Sequence, residues 1–236
     1  MAFAWLIGFC ATTVGLGVGG GIAWFLRGFQ RSLATIYALC GGLIAGLIGF
    51  EIAPEAIQLG DWIIFTLGVL SGVLLFELLH KAFHHKVNQG KGLFLHTGLL
   101  LIVGISLHNL PMGFIFGSTS HSMIGASILP ALILHNIPEG IILFTPLFLF
   151  GIGFYHVVWI SIIVAFPVAV GAFFGSVIGM DNPLVVSFFI SLAIGTILMI
   201  TIREILAEST RHSSMLYCLL IALMGSALIG IYFELI

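Results

Sequence analysis

Eight stretches of this chain are apolar for about twenty residues or more, and that pattern leaves few folds open. They run roughly over residues 2–26, 34–58, 62–83, 93–117, 123–149, 154–179, 184–206 and 215–236. A helix of about 20 apolar residues crosses the hydrocarbon core of a bilayer. No water reaches backbone groups there, so each span must satisfy its own hydrogen bonds. The alternating pattern of barrel strands is absent, which leaves helices. The expectation is an all-α membrane protein, a single polytopic domain over 1–236 with eight transmembrane helices. Residues 1–24 lack a basic leader and a second span follows quickly, so they read as a retained first helix rather than a signal peptide.

Charged residues make up only 7% of the chain, against about 25% in a soluble domain. The net charge is −2, so nothing suggests a nucleic-acid partner and none is expected. The lipid bilayer is the expected surrounding, and a homodimer is compatible with the sequence. Cys10, Cys40 and Cys218 all lie in apolar runs without CxxC spacing, and read as packing residues.

The seven basic residues set the orientation. Arg27 and Arg31 follow span one, Lys81, Lys86 and Lys91 follow span three, and Arg203 and Arg211 close span seven. The even-numbered loops and both tails carry no Lys or Arg. Under the positive-inside rule the odd loops are cytoplasmic and both termini are outside.

Within span five stands His135-Asn136-Ile137-Pro138-Glu139-Gly140. A carboxylate at the centre of a span costs about 2.5–3.5 kcal/mol on the insertion scale, so a chain that retains one there is using it. His135 and Glu139 are four residues apart and share a helix face. Pro138 removes a backbone donor and frees a carbonyl near Leu134. Imidazole, amide and carboxylate together suit a borderline divalent ion such as zinc. The bland alternative is a polar cluster that glues helices together.

Span four holds a near copy, His108-Asn109-Leu110-Pro111-Met112-Gly113, running the opposite way. Two imidazoles, two amides and one carboxylate can then meet in one pocket between helices four and five. Met112 stands where span five has Glu139; it is either a soft neutral ligand or a packing residue.

HNLPMG followed by HNIPEG resembles the paired core motifs of the ZIP (Zrt/Irt-like) family of divalent metal transporters. Phe50-Glu51-Ile52-Ala53-Pro54-Glu55-Ala56 in span two resembles the acidic-Leu-Pro-Glu-Ala pattern of bacterial members. Arg203-Glu204-Ile205-Leu206-Ala207-Glu208 in span seven is similar to the family's His-Glu-Ile-x-Pro-Glu. The resemblance implies a central metal site formed by spans four and five, packed between two three-helix groups. The site residues it implies are His108, Asn109, Met112, His135, Asn136 and Glu139. The chain departs from the family at Met112, where Glu is usual, and at Val168-Ala169-Val170-Gly171-Ala172, where Glu-Pro-x-Gly-Ala is usual. Arg203 and Ala207 replace the usual His and Pro. With two carboxylates missing, one central metal is expected rather than two.

Glu51 and Glu55, four residues apart near the outer end of span two, are a candidate entrance or an interfacial pair reaching water. Glu77, Glu204 and Glu208 near inner span ends are a candidate exit, with Glu77 alternatively paired to Lys81. His84 and His85, with His80, lie in the cytoplasmic third loop, either as transient metal holders or as solvated residues. Arg203 reads as a topology anchor or as a charge that speeds release. The glycine groups Gly15 to Gly21, Gly41 to Gly49 and Gly171 to Gly179 read first as close helix packing, second as a sliding surface.

The expected function is divalent-cation transport into the cytoplasm, with zinc first and iron or manganese next. The ion is the substrate; no cofactor is expected, and no phosphate-binding loop is present. One rival is an intramembrane zinc hydrolase using His108, His135 and Glu139, which HExxH would have favoured. Another is a relative that binds metal without transporting it.

Overall fold

The computed structural model describes residues 3–27, 33–83, 91–119, 123–178 and 182–235. Among the described residues the chain is almost wholly helical and contains no strand. Eight helices are long and apolar enough to cross a membrane. They are α1 (Ala4–Leu26), α2 (Leu33–Gly60), α3 (Trp62–Phe83), α4 (Lys91–Thr119), α5 (Met123–Phe150), α6 (His156–Ile178), α7 (Pro183–His212) and α8 (Met215–Leu235). His84, His85 and His121 lie outside the described residues.

Local chemistry ends these helices where the connections must turn. Asp61 closes α2 in the left-handed region (φ 105°). Its Oδ1 accepts from Ile63 N (2.8 Å) and Ile64 N (2.9 Å), so the same residue caps the start of α3. Gly151 (φ 114°) closes α5, where Ile152 N donates to Leu147 O and Gly151 N to Phe148 O, a Schellman arrangement. Asn182 caps α7 through Leu184 N (3.0 Å), with Pro183 in the first helical position.

Two spans carry a π-helical turn, Ile48–Ile52 in α2 and Thr201–Leu206 in α7. Each turn holds a carboxylate, Glu51 or Glu204, that the sequence places near opposite ends of the membrane. Pro111 and Pro138 lie inside α4 and α5 without ending either helix.

Packing repeats itself in inverted order. α1 lies on α5 as α6 lies on α4, and α2 lies on α8 as α7 lies on α3. Two groups result, α1-α4-α5-α6 and α2-α3-α7-α8, meeting mainly where α4 touches α7 and α5 touches α2. This is the pattern of inverted repeats, α1-α2-α3 matched to α6-α7-α8 with α4 matched to α5.

Small residues make the close approaches. A Cβ on Gly19 would meet the Ile137 carbonyl and lie 2.8 Å from Gly140 Cα; one on Gly171 would meet the Leu110 carbonyl and lie 2.7 Å from Phe114 N. Gly17, Gly21 and Gly49 have nothing near them, so only part of the α1 and α2 glycine groups serves packing. Gly179 lies outside the described residues. α5 is the most enclosed span, while α3 and α8 present most of their surface outward. The core therefore sits around α5, which carries the carboxylate.

The basic ends gather on one face. Arg203 reaches Glu77 from α7 to α3, and Ser209 Oγ near the end of α7 donates to Ala34 O at the start of α2. Arg27, Leu33 and Leu149 line one small cleft, which puts the ends of α1 and α5 on that same face.

Candidate metal centre

α4 and α5 bring His108, His135 and Glu139 together, with ligand atoms within 4.8 Å of one another. Position 108 lies near the middle of α4, about 16 Å from either end of its apolar portion Thr97–Thr119. All three side chains are buried, Glu139 at 1% exposure. His108 Nε2 lies 3.8 Å from Glu139 Oε1, and the two imidazoles meet edge to face with centroids 5.9 Å apart.

One hydrogen bond decides the chemistry of His108. Its Nδ1 lies 3.0 Å from the carbonyl of Ala193 on α7. A carbonyl only accepts, so Nδ1 carries the proton and Nε2 turns its lone pair toward Glu139. Metal-binding histidines are held in the same way, with the second nitrogen donating to a carbonyl or carboxylate.

The asparagines behave differently from each other. Asn109 Nδ2 donates to Val164 O on α6 (2.9 Å), a bond between helices. Asn136 Nδ2 donates to Leu132 O in its own helix (2.5 Å) and lies 3.3 Å from His135 Nε2. Both amides are fully buried, and their Oδ1 atoms accept no hydrogen bond. Neither oxygen of Glu139 accepts one either. Buried acceptors without donors are costly, and a cation held between His108, His135 and Glu139 would answer those of the carboxylate. Met112 is buried within the continuous apolar core.

Glu51, Glu55, Glu77, Glu204 and Glu208 lie away from this cluster, toward the ends of their spans. Glu51 and Glu55 are half-buried and form no ion pair among the described residues. Glu77 pairs with Arg203 at 2.6 Å, not with Lys81. Arg203 is thereby neutralised while still half exposed. Glu208 is buried and accepts from Arg211 (2.8 Å), with His212 Nε2 3.2 Å away. Glu204 has His80 Nδ1 at 3.3 Å.

His80 belongs to the last turn of α3 rather than to a loop. It lines a narrow cleft with Phe76, Gly104, Leu107 and Glu204, which leads to the residue before His108. Sequence reading placed Glu204 at an inner end but could not pair it with His80, because the two are joined only by the packing of α3 on α7.

An eight-helix fold with a buried imidazole-carboxylate cluster defines a multi-pass membrane protein with a central group of side chains that could hold a cation. The family model described as ZIP zinc transporter matches residues 80–232, and the chain belongs to that family of divalent metal transporters. A search among curated proteins found no match. The family match begins at the end of α3, and the packing extends the same arrangement to α1 and α2.

Proposed function

We propose that this protein carries zinc from outside the cell membrane into the cytoplasm. His108, His135 and Glu139 hold the ion, and Asn109, Asn136 and Met112 complete its surroundings. The observation that carries the reading is the Ala193 bond to His108 Nδ1, which aims Nε2 at a carboxylate whose oxygens accept no hydrogen bond. One carboxylate leaves a bound divalent ion formally at +1, which favours release over tight storage. The membrane potential drives entry, since two charges gain about 4.6 kcal/mol per 100 mV of inside-negative potential.

The proposed mechanism is alternating access, with α4 and α5 moving against their surroundings; the division of the helices into two groups supports this reading. Glu51 and Glu55 attract cations at the outer end. Glu204 with His80 forms the inner step, because Glu77 and Glu208 are already engaged by arginines. The basic face described above is cytoplasmic under the positive-inside rule.

The test is zinc uptake by purified protein in liposomes, with Glu139→Ala beside the unmodified chain. Loss of flux is expected. Unchanged flux would remove Glu139, and with it this site, from the mechanism. Iron, manganese, cadmium and copper in the same assay rank the ions.

A further inference from the structure

Among the described residues, most buried Ser and Thr hydroxyls have a partner. Ser191, Thr119, Thr196 and Thr201 bond carbonyls of their own helices, and Ser187 and Ser209 bond carbonyls of neighbours. Thr12 on α1 and Ser161 on α6 are exceptions: both are fully buried, and neither Oγ atom has a hydrogen-bond partner.

These two residues share one seam. A Cβ on Gly8 would lie 3.1 Å from Val168, and one on Gly20 would lie 2.6 Å from Val157. That fixes an antiparallel register between α1 and α6. Thr12 then falls opposite about Val164, and Ser161 opposite about Leu16. The same level of the seam borders the metal centre on both sides. Val164 O receives the Asn109 amide, and a Cβ on Gly15 would lie 2.7 Å from Asn136 Cβ. Four neutral oxygens without partners, from Thr12, Ser161, Asn109 and Asn136, thus belong to the α1/α6 seam and to the stretches of α4 and α5 packed against it.

None of the four carries charge, so together they cannot replace a carboxylate as an anionic ligand. They suit water instead: a buried water makes about three hydrogen bonds, and sites with several unsatisfied polar groups are where such waters bind. We propose that the α1/α6 seam holds a resident water pocket organised by Thr12 and Ser161, from which the bound ion takes water ligands. This rests on the metal-site reading above. Residual hydration would supply the ligands that a single carboxylate and two histidines leave open.

The experiment uses the full chain in detergent, stripped of metal by a chelator, with Thr12→Val and Ser161→Ala. A dry, unpartnered hydroxyl is a burden, and replacing it with a methyl or hydrogen raises the melting temperature. A hydroxyl bonded to resident water is a support, and its loss lowers the melting temperature by about 2–4 °C. A fall is expected for both variants; a rise or no change would overturn the pocket. Ser161→Ala removes only an oxygen, so it carries this arm if Thr12→Val fails to fold.

Zinc titration calorimetry forms the second arm. Binding is expected to weaken about three- to tenfold in both variants and to recover in Thr12→Ser. A lower melting temperature with unchanged zinc affinity would overturn the water-ligand role and leave a merely structural pocket. Glu139→Ala serves as reference: if it leaves zinc binding intact, the site reading itself fails, while the metal-free melting temperatures still decide whether the pocket exists.

Discussion

His108 Nε2 and Glu139 Oε1 face each other across 3.8 Å, on two different helices, in the most enclosed part of the molecule. The gap is too long for a hydrogen bond and suits two ligands of one ion. Metal should therefore stabilise the fold. At a free zinc concentration 100 times the dissociation constant the gain is about 2.7 kcal/mol. Thermal melts with and without zinc should show this shift in the unmodified chain and lose it in His108→Ala and Glu139→Ala.

Proton competition gives the site a pH dependence of fixed sign. The imidazoles bind metal only when neutral and the carboxylate only when ionised. Lowering the pH protonates all three, so zinc affinity falls as pH falls and recovers as it rises. Calorimetry across pH 5.5 to 8 (an experimental range at about the histidine transition) should also find protons released on binding. A pH-independent affinity would count against histidine ligation.

Met112 sits one helical turn beyond His108 and is buried in the apolar core. In Met112→Glu a second carboxylate would face the ion, and a bound divalent cation would become formally neutral. Tighter zinc binding with slower uptake is expected, by about tenfold in affinity for each 1.4 kcal/mol gained. If neither quantity moves, Met112 is packing alone.

The glycines of α1 offer an internal control. Gly19→Ala would push a methyl into the Ile137 carbonyl and Gly140, so destabilisation of about 1–3 kcal/mol is expected. Gly17→Ala meets nothing within 4 Å and should be neutral or stabilising by up to about 1 kcal/mol, the helix-propensity gain. Denaturation in mixed micelles can read both; equal effects would refute the α1/α5 contact.

Much of the fold was legible because lipid enforces it. Eight apolar runs and a one-sided distribution of Lys and Arg are consequences of solvation, and solvation acts on sequence directly. The paired His-Asn-x-Pro-x-Gly segments were legible for the same reason, since polar residues at that depth stand out. What sequence could not supply was partnership between distant helices. Glu77 has Lys81 four residues away, yet it binds Arg203, 126 positions on, because α3 packs on α7. Gly15, Gly17, Gly19 and Gly21 look equivalent in sequence; only the location of α5 separates those that touch it from those that do not. Thr12 and Ser161 are ordinary helix residues until the register of α1 on α6 is known.

The carbonyl that fixes the His108 tautomer belongs to α7, whereas His108 itself belongs to α4, in the other helix group. The proposed ligand and the atom that fixes its tautomer are therefore on opposite sides of the boundary that the proposed alternating access would shift. In that proposed mechanism, sliding the groups would part Nδ1 from Ala193, free the imidazole to rotate or change tautomer, and weaken its grip on the ion. Affinity would then become a readout of position: the displacement that opens a route would also loosen the cargo, and release would require no separate trigger.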